Sequence, residues 1–110
     1  MKKYDAIIIG AGHNGLTNAA YLAKAGLDTL VVEKNDYIGG AAVTRELQKG
    51  WFYSNCSYVC SMMRQSIHRD LNLTKHGLIL VPYLGTVNFS DDGDTLSAYH
   101  SEGPYYNELR

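Results

Sequence analysis

The stretch from Tyr4 to Glu33 constrains the chain most. A short β-branched run, a glycine-rich hexapeptide, a helical pattern and a second β-branched run follow one another within about thirty residues, the length of a βαβ unit. Ile7-Ile8-Ile9 has no polar alternation and ends at Gly10, which predicts a buried strand of a parallel sheet. From about His13 to Ala25 the apolar residues Leu16, Ala19, Ala20, Leu22 and Ala23 recur at helical spacing, and Gly26 stands where a left-handed C-terminal cap falls. Thr29-Leu30-Val31-Val32-Glu33 supplies the second strand.

The hexapeptide Gly10-Ala11-Gly12-His13-Asn14-Gly15 reads G-x-G-x-x-G, a weak signal alone because glycine is common. Its position between a predicted strand and a predicted helix gives each glycine a task. Gly10 permits the tight turn, Gly12 lets the backbone approach a pyrophosphate, and Gly15 lets the helix pack close to the strand. The phosphates would rest on the free N–H groups and the positive dipole end of the helix. Glu33 follows Gly15 by eighteen residues, where such a unit places the carboxylate that accepts hydrogen bonds from the adenosine ribose and repels a 2′-phosphate. A fortuitous glycine turn with an exposed terminal Glu is the alternative, but strand, loop, helix, strand and acid all fall in register. Lys34 is a candidate flank for the ribose or adenine, or a solvated strand-end lysine. His13 and Asn14 are expected to contribute backbone N–H groups rather than side-chain catalysis.

Composition sets the outer bounds. With 110 residues, 45% hydrophobic and 19% charged, the chain fits one globular domain at most and cannot hold a cofactor domain plus a separate substrate domain. A net charge of −1, spread along the chain, gives no nucleic-acid or membrane-surface footprint. The apolar run after Lys2-Lys3 is too short for a signal peptide, and no stretch approaches the roughly 20 apolar residues of a membrane span. A cytoplasmic protein, or one peripheral to a membrane, is the expectation. Cys56 and Cys60 match neither a redox C-x-x-C nor a zinc pattern and are expected to be buried reduced thiols. The sequons at Asn55, Asn72 and Asn88 read as chance matches.

Downstream, Tyr37-Ile38-Gly39-Gly40 carries a glycine pair too flexible for a regular element, followed by Ala41-Ala42-Val43-Thr44. Trp51-Phe52-Tyr53 and Tyr58 are expected to pack in a core or against another domain. Met62, Met63, Ile67 and Leu71 predict a helix within Ser61 to Leu73. Leu78 to Val81 predicts a strand stopped by Pro82, and Thr86 to Phe89 with Thr95 to Tyr99 predict a hairpin around Asp91-Asp92-Gly93-Asp94. His13, His68, His76 and His100 are dispersed, so no catalytic residue and no metal site is assigned.

The glycine pair a few residues after Glu33 returns the chain to the phosphate crevice, where a simple NAD-binding domain more often continues into a second crossover helix. Ile7 to Glu46 resembles the N-terminus of the FAD-dependent oxidoreductases that include phytoene desaturases, amine oxidases and protoporphyrinogen oxidase. The landmarks are Gly10, Gly12, Gly15, Ala19, Leu22, Gly26, Glu33, Gly39, Gly40 and Thr44. GAGHNGL, IGGAAVTRE and SNCSYVCSMMRQSIHRDLNLTKHGL are similar to the phytoene dehydrogenase-related branch, which includes the pyridine nucleotide-disulfide oxidoreductase domain-containing proteins. Where amine oxidases usually carry an arginine after the glycine pair, this chain has Ala41, and Arg45 lies too far along to be assumed a substitute.

The resemblance implies a partial Rossmann-like α/β domain that binds FAD through Gly10, Gly12, Gly15 and Glu33, with Gly39, Gly40 and Ala41 passing near the phosphates or the flavin. It also implies hydride transfer from a C–H bond of a small, apolar substrate to flavin. The expected division is a βαβ unit with its glycine-pair turn over residues 1–46 and a continuation towards a substrate domain over 47–110. Only two strands of the nucleotide-binding sheet are identifiable, so the 110 residues are expected to be the front of a longer flavoprotein, marginally stable and weak in FAD binding alone. Competing expectations are a non-enzymatic binding module, as in the Rab GDP-dissociation inhibitors, and a plain NAD-binding domain.

Overall fold

The computed structural model describes residues 2–54, 56–82 and 85–99, and the chain divides into two units, Met1–Leu78 and Ile79–Arg110. In the first unit the β-branched runs form β1 (Ala6–Ile9) and β2 (Thr29–Val32), paired in parallel with Ile7 opposite Leu30 and Ile9 opposite Val32. Their register is fixed at the entry, where the Asp5 N–H donates to the Asp28 carbonyl and the Asp28 N–H donates to Asp5 Oδ2, both at 2.8 Å.

Between the strands runs α1 (His13–Lys24). It ends as predicted: Gly26 is left-handed, its N–H reaches the Ala23 carbonyl at 3.0 Å, and the Leu27 N–H reaches the Leu22 carbonyl at 3.1 Å. The apolar core here is thin and made of small side chains. Among the described residues, Ala11 at 2% and Ala19 at 8% exposure are its buried apolar members. Ala6 and Ile8 are half-buried on the α1 side of β1, whereas Ile9 on the opposite face is 88% exposed. The strand predicted to be buried is therefore covered on one face only.

After β2 a single 3-10 turn (Gly40–Ala42) leads into a hairpin that was not expected from the sequence. Its strands are β3 (Thr44–Gln48) and β4 (Trp51–Ser54), antiparallel, with Thr44 opposite Ser54 and a register shift between Glu46 and Gln48. Lys49-Gly50 makes the turn, and the Gly50 N–H donates to Glu46 Oε1 at 2.6 Å. Trp51 and Phe52 are 61% and 67% exposed, and Tyr53 and Tyr58 are exposed too, so the expected aromatic core is not formed. Two strands alone provide no opposing layer against which these rings could bury.

The helix expected within Ser61 to Leu73 is shortened to α2 (Gln65–Asp70). Arg64 before it is extended, and the chain leaves it through successive turns in which Asn72 is left-handed. Asp70 ties α2 to α1. Its Oδ2 accepts from the Tyr21 hydroxyl at 2.8 Å, and its carbonyl accepts from the Lys24 ammonium. The hydrogen bond to Asp70 also holds the Tyr21 phenol above its ordinary pKa.

The predicted strand Leu78 to Val81 is a correction as well: it is irregular, with Ile79, Leu80 and Val81 exposed and no ladder partner among the described residues. In the second unit, the expected hairpin forms from β5 (Gly85–Phe89) and β6 (Thr95–Tyr99), with Phe89 opposite Thr95. The Ser90 N–H closes its turn on the Asp94 carbonyl at 2.9 Å. Within that turn, the Ser90 hydroxyl and then the Asp94 N–H keep the Asp92 carboxyl below its usual range. The whole is an α/β arrangement in which one βαβ unit is followed by a short helix and hairpins.

Candidate functional site

The loop from Gly10 to Gly15 joins β1 to α1. The Gly10 N–H donates to the Val32 carbonyl at 2.7 Å, continuing the ladder by one residue before the chain turns. Gly15 permits the close approach that follows. A Cβ there would sit 2.1 Å from the Gly10 carbonyl oxygen and 3.4 Å from Ile8 Cγ2, so any side chain would push α1 off β1.

Gly12 is the N-cap of α1. Its backbone is extended, no side chain caps the helix, and the first turn holds no acidic residue. The first N–H groups of a helix have no intrahelical acceptor and carry its positive end. Here nothing anionic from α1 itself competes for them, and a phosphate is the group whose charge and lone pairs fit. His13 and Asn14 are exposed in that turn, so their peptide N–H groups are what they offer a phosphate.

Glu33, immediately after β2, reaches back across the loop. Its Oε2 accepts the Ala11 N–H at 2.7 Å. Its Oε1 accepts the Asn35 N–H at 3.0 Å and the Asn35 side-chain amide at 2.8 Å. The Asn35 N–H, then the Ala11 N–H, hold the carboxyl below the usual carboxylate range, and these outweigh the opposing effect of desolvation. The group is therefore an anion poised beside the loop.

The glycine pair closes the other side. The Gly39 N–H donates to the Ala11 carbonyl at 2.8 Å, and Gly39 forms an isolated parallel bridge with Gly12. Gly40 is left-handed, and a Cβ on it would lie 2.9 Å from the Gly12 Cα. Ala11, the most buried apolar residue described, thus has its N–H held by Glu33 and its carbonyl held by Gly39.

Of the residues singled out in the sequence, Gly10, Gly12, Gly15, Glu33, Gly39 and Gly40 come together around Ala11. Lys34, Ala41 and Thr44 are exposed beside them. Arg45 stacks over the Tyr37 ring, 4.8 Å from its centre. Asn35 was missed: its side chain reaches back to the Glu33 carboxylate, a contact for which the sequence carries no motif. Cys56 and Cys60 are free and exposed, which corrects the buried-thiol expectation; the segment around them has no regular element to cover them. Among the described residues, no group of three or more His, Cys, Asp or Glu could hold a metal ion, and no helix is long and apolar enough to cross a membrane.

Comparison with known proteins agrees with this geometry. Residues 8–71 match the NAD(P)-binding Rossmann-like domain family. The rat pyridine nucleotide-disulfide oxidoreductase domain-containing protein 2 is 54% identical over 78 residues, covering 71% of this chain and 13% of that protein. A limonene dehydrogenase subunit of Castellaniella defragrans is 36% identical over 100 residues, covering 90% of the chain and 18% of the relative. A phytoene desaturase of Neurospora crassa is 35% identical over 92 residues, covering 84% and 12%. The chain therefore spans less than a fifth of the length of each of these relatives.

Proposed function

The chain belongs to the NAD(P)-binding Rossmann-like domain family, and from that premise we propose that it is the adenine-dinucleotide cradle of a flavoprotein oxidoreductase, with FAD as its ligand. The observation that carries this reading is the pairing of an uncapped helix N-terminus with a loop that Glu33 grips through the Ala11 N–H at 2.7 Å. In this reading the pyrophosphate lies on the N–H groups of Gly12, His13 and Asn14, where Gly12 presents no side chain. Gly10 and Gly15 shape the turn, and Glu33 accepts the hydroxyls of the adenosine ribose. Lys34 flanks the ribose, while Gly39, Gly40, Ala41 and Thr44 line the path towards the second half of the dinucleotide.

FAD is preferred because the glycine pair folds directly onto the phosphate loop through Gly39 and Ala11. The relatives named as a phytoene desaturase and a limonene dehydrogenase subunit support the oxidoreductase part of the reading. When bound, the flavin would supply the hydride acceptor for oxidation of a C–H bond in a small apolar substrate. This chain's residues would hold and orient the dinucleotide; none is assigned to the chemical step.

The family's description favours a second reading, a nicotinamide dinucleotide in the same cradle. Calorimetric titration of the protein carrying this chain with FAD and, separately, with NADH tests the choice. Tighter binding of FAD supports the flavoprotein reading, and tighter binding of NADH overturns it.

A further inference from the structure

Glu33 has two oxygens, and they are engaged differently. Oε1 accepts two donors from Asn35, the backbone N–H at 3.0 Å and the side-chain amide at 2.8 Å, as many as a carboxylate oxygen has lone pairs. Oε2 accepts the Ala11 N–H at 2.7 Å and keeps a second lone pair for a ligand hydroxyl. The two oxygens are chemically equivalent, so what the Asn35 amide adds to the Ala11 and Asn35 N–H groups is a third donor that holds the plane of the carboxylate about its last torsion, a broad and soft one.

We propose that Asn35 is a positioning residue for ribose recognition, locking the Glu33 carboxylate so that Oε2 faces the phosphate loop and reads a free 2′-hydroxyl on the adenosine. The inference rests on the dinucleotide-binding reading but not on the choice between flavin and nicotinamide, since both carry the same adenosine diphosphate half. Asn35 would not touch the ligand. It acts through Glu33, fixing the plane of the carboxylate and limiting the freedom lost when the hydroxyl binds.

The probes are therefore ADP and 2′-deoxy-ADP, titrated into the protein carrying this chain while the backbone amides of Gly10 to Gly15 are followed by NMR. The wild-type chain should bind ADP more tightly than 2′-deoxy-ADP by about tenfold, the scale of one hydrogen bond to a charged group. In Asn35→Ala this preference should collapse towards unity, with affinity for 2′-deoxy-ADP little changed. Asn35→Asp keeps the side-chain shape but cannot donate, and because its added charge weakens both nucleotides its readout is the ratio of the two affinities, which should fall equally. Asn35→Ser, which keeps a short donor, should recover part of it.

A structural role in shaping the loop would instead weaken both nucleotides alike, and that result overturns the proposal. So does an N35A or N35D chain that keeps the wild-type preference. If the wild-type amides do not respond to either nucleotide, the dinucleotide-binding reading itself fails and takes the inference with it, an outcome distinct from a wild-type preference that survives the substitutions.

Discussion

Glu33 Oε2 lies 2.7 Å from the backbone nitrogen of Ala11, so the acid that follows β2 and the peptide that follows β1 form one hydrogen-bonded unit. The contact spans 22 residues of sequence and gives the carboxylate a task before any ligand arrives. It predicts that Glu33→Gln, which keeps shape but removes the charge, loosens the loop as well as weakening ribose recognition. Amide exchange at Ala11 should accelerate, and affinity for ADP should fall by about tenfold.

Acid should act through the same carboxylate. Its folded pKa is held below the unfolded value of about 4.3, so its contribution to stability is fully present above that pH. The contribution is lost as pH falls through the lower folded value. Urea unfolding of the wild type and of Glu33→Gln should therefore differ at neutral pH and converge as pH falls through the lowered folded value. A difference that stays constant with pH would contradict the linkage.

Gly15 and Gly12 separate folding from binding. A Cβ at Gly15 meets the Gly10 carbonyl at 2.1 Å, so Gly15→Ala should destabilise the βαβ unit by about 1–3 kcal/mol or more. A Cβ at Gly12 finds its nearest neighbour, the Gly40 Cα, at an ordinary 3.8 Å, and its φ of −75° suits any residue. Gly12→Ala should fold like the wild type, within about 0.5 kcal/mol, yet lose nucleotide affinity because the methyl occupies the path of the phosphates. Denaturant midpoints and ADP titration of the two variants provide the check.

Gly40→Ala should disturb the loop from the other side. Its left-handed backbone costs a side-chain-bearing residue about 1–2 kcal/mol, and the added Cβ would press on Gly12 at 2.9 Å. The expected signature is a perturbed Gly12 amide in the NMR spectrum of a chain whose β3–β4 hairpin is unchanged.

Much of this site was legible in the sequence because its determinants are local. The spacing of Gly10, Gly12 and Gly15, the helical recurrence of Leu16, Ala19 and Ala20, and the cap at Gly26 each act within a few residues. What the sequence hid depends on partners. Ile79 to Val81 has the composition of a strand but no neighbouring backbone to pair with among the described residues, and Trp51 to Tyr53 has aromatic bulk but no opposing layer. The β3–β4 hairpin was signalled by Lys49-Gly50 before the β-prone Trp51-Phe52-Tyr53, but its polar first strand, Thr44-Arg45-Glu46, masked it. Asn35 escaped notice because its value lies in orienting another side chain.

The exposed cysteines carry their own test. Cys56 and Cys60 should both react with a water-soluble disulfide reagent in the native chain, at rates close to those in denaturant. Protection of either thiol would restore the buried reading.

Flavin content of the purified protein carrying this chain tests the central claim most directly. The expected result is a bound flavin spectrum, or its appearance on adding FAD, at one flavin per chain, and its loss in Gly12→Ala while the fold persists. A wild-type protein that holds no flavin and takes up none when FAD is supplied would contradict the claim.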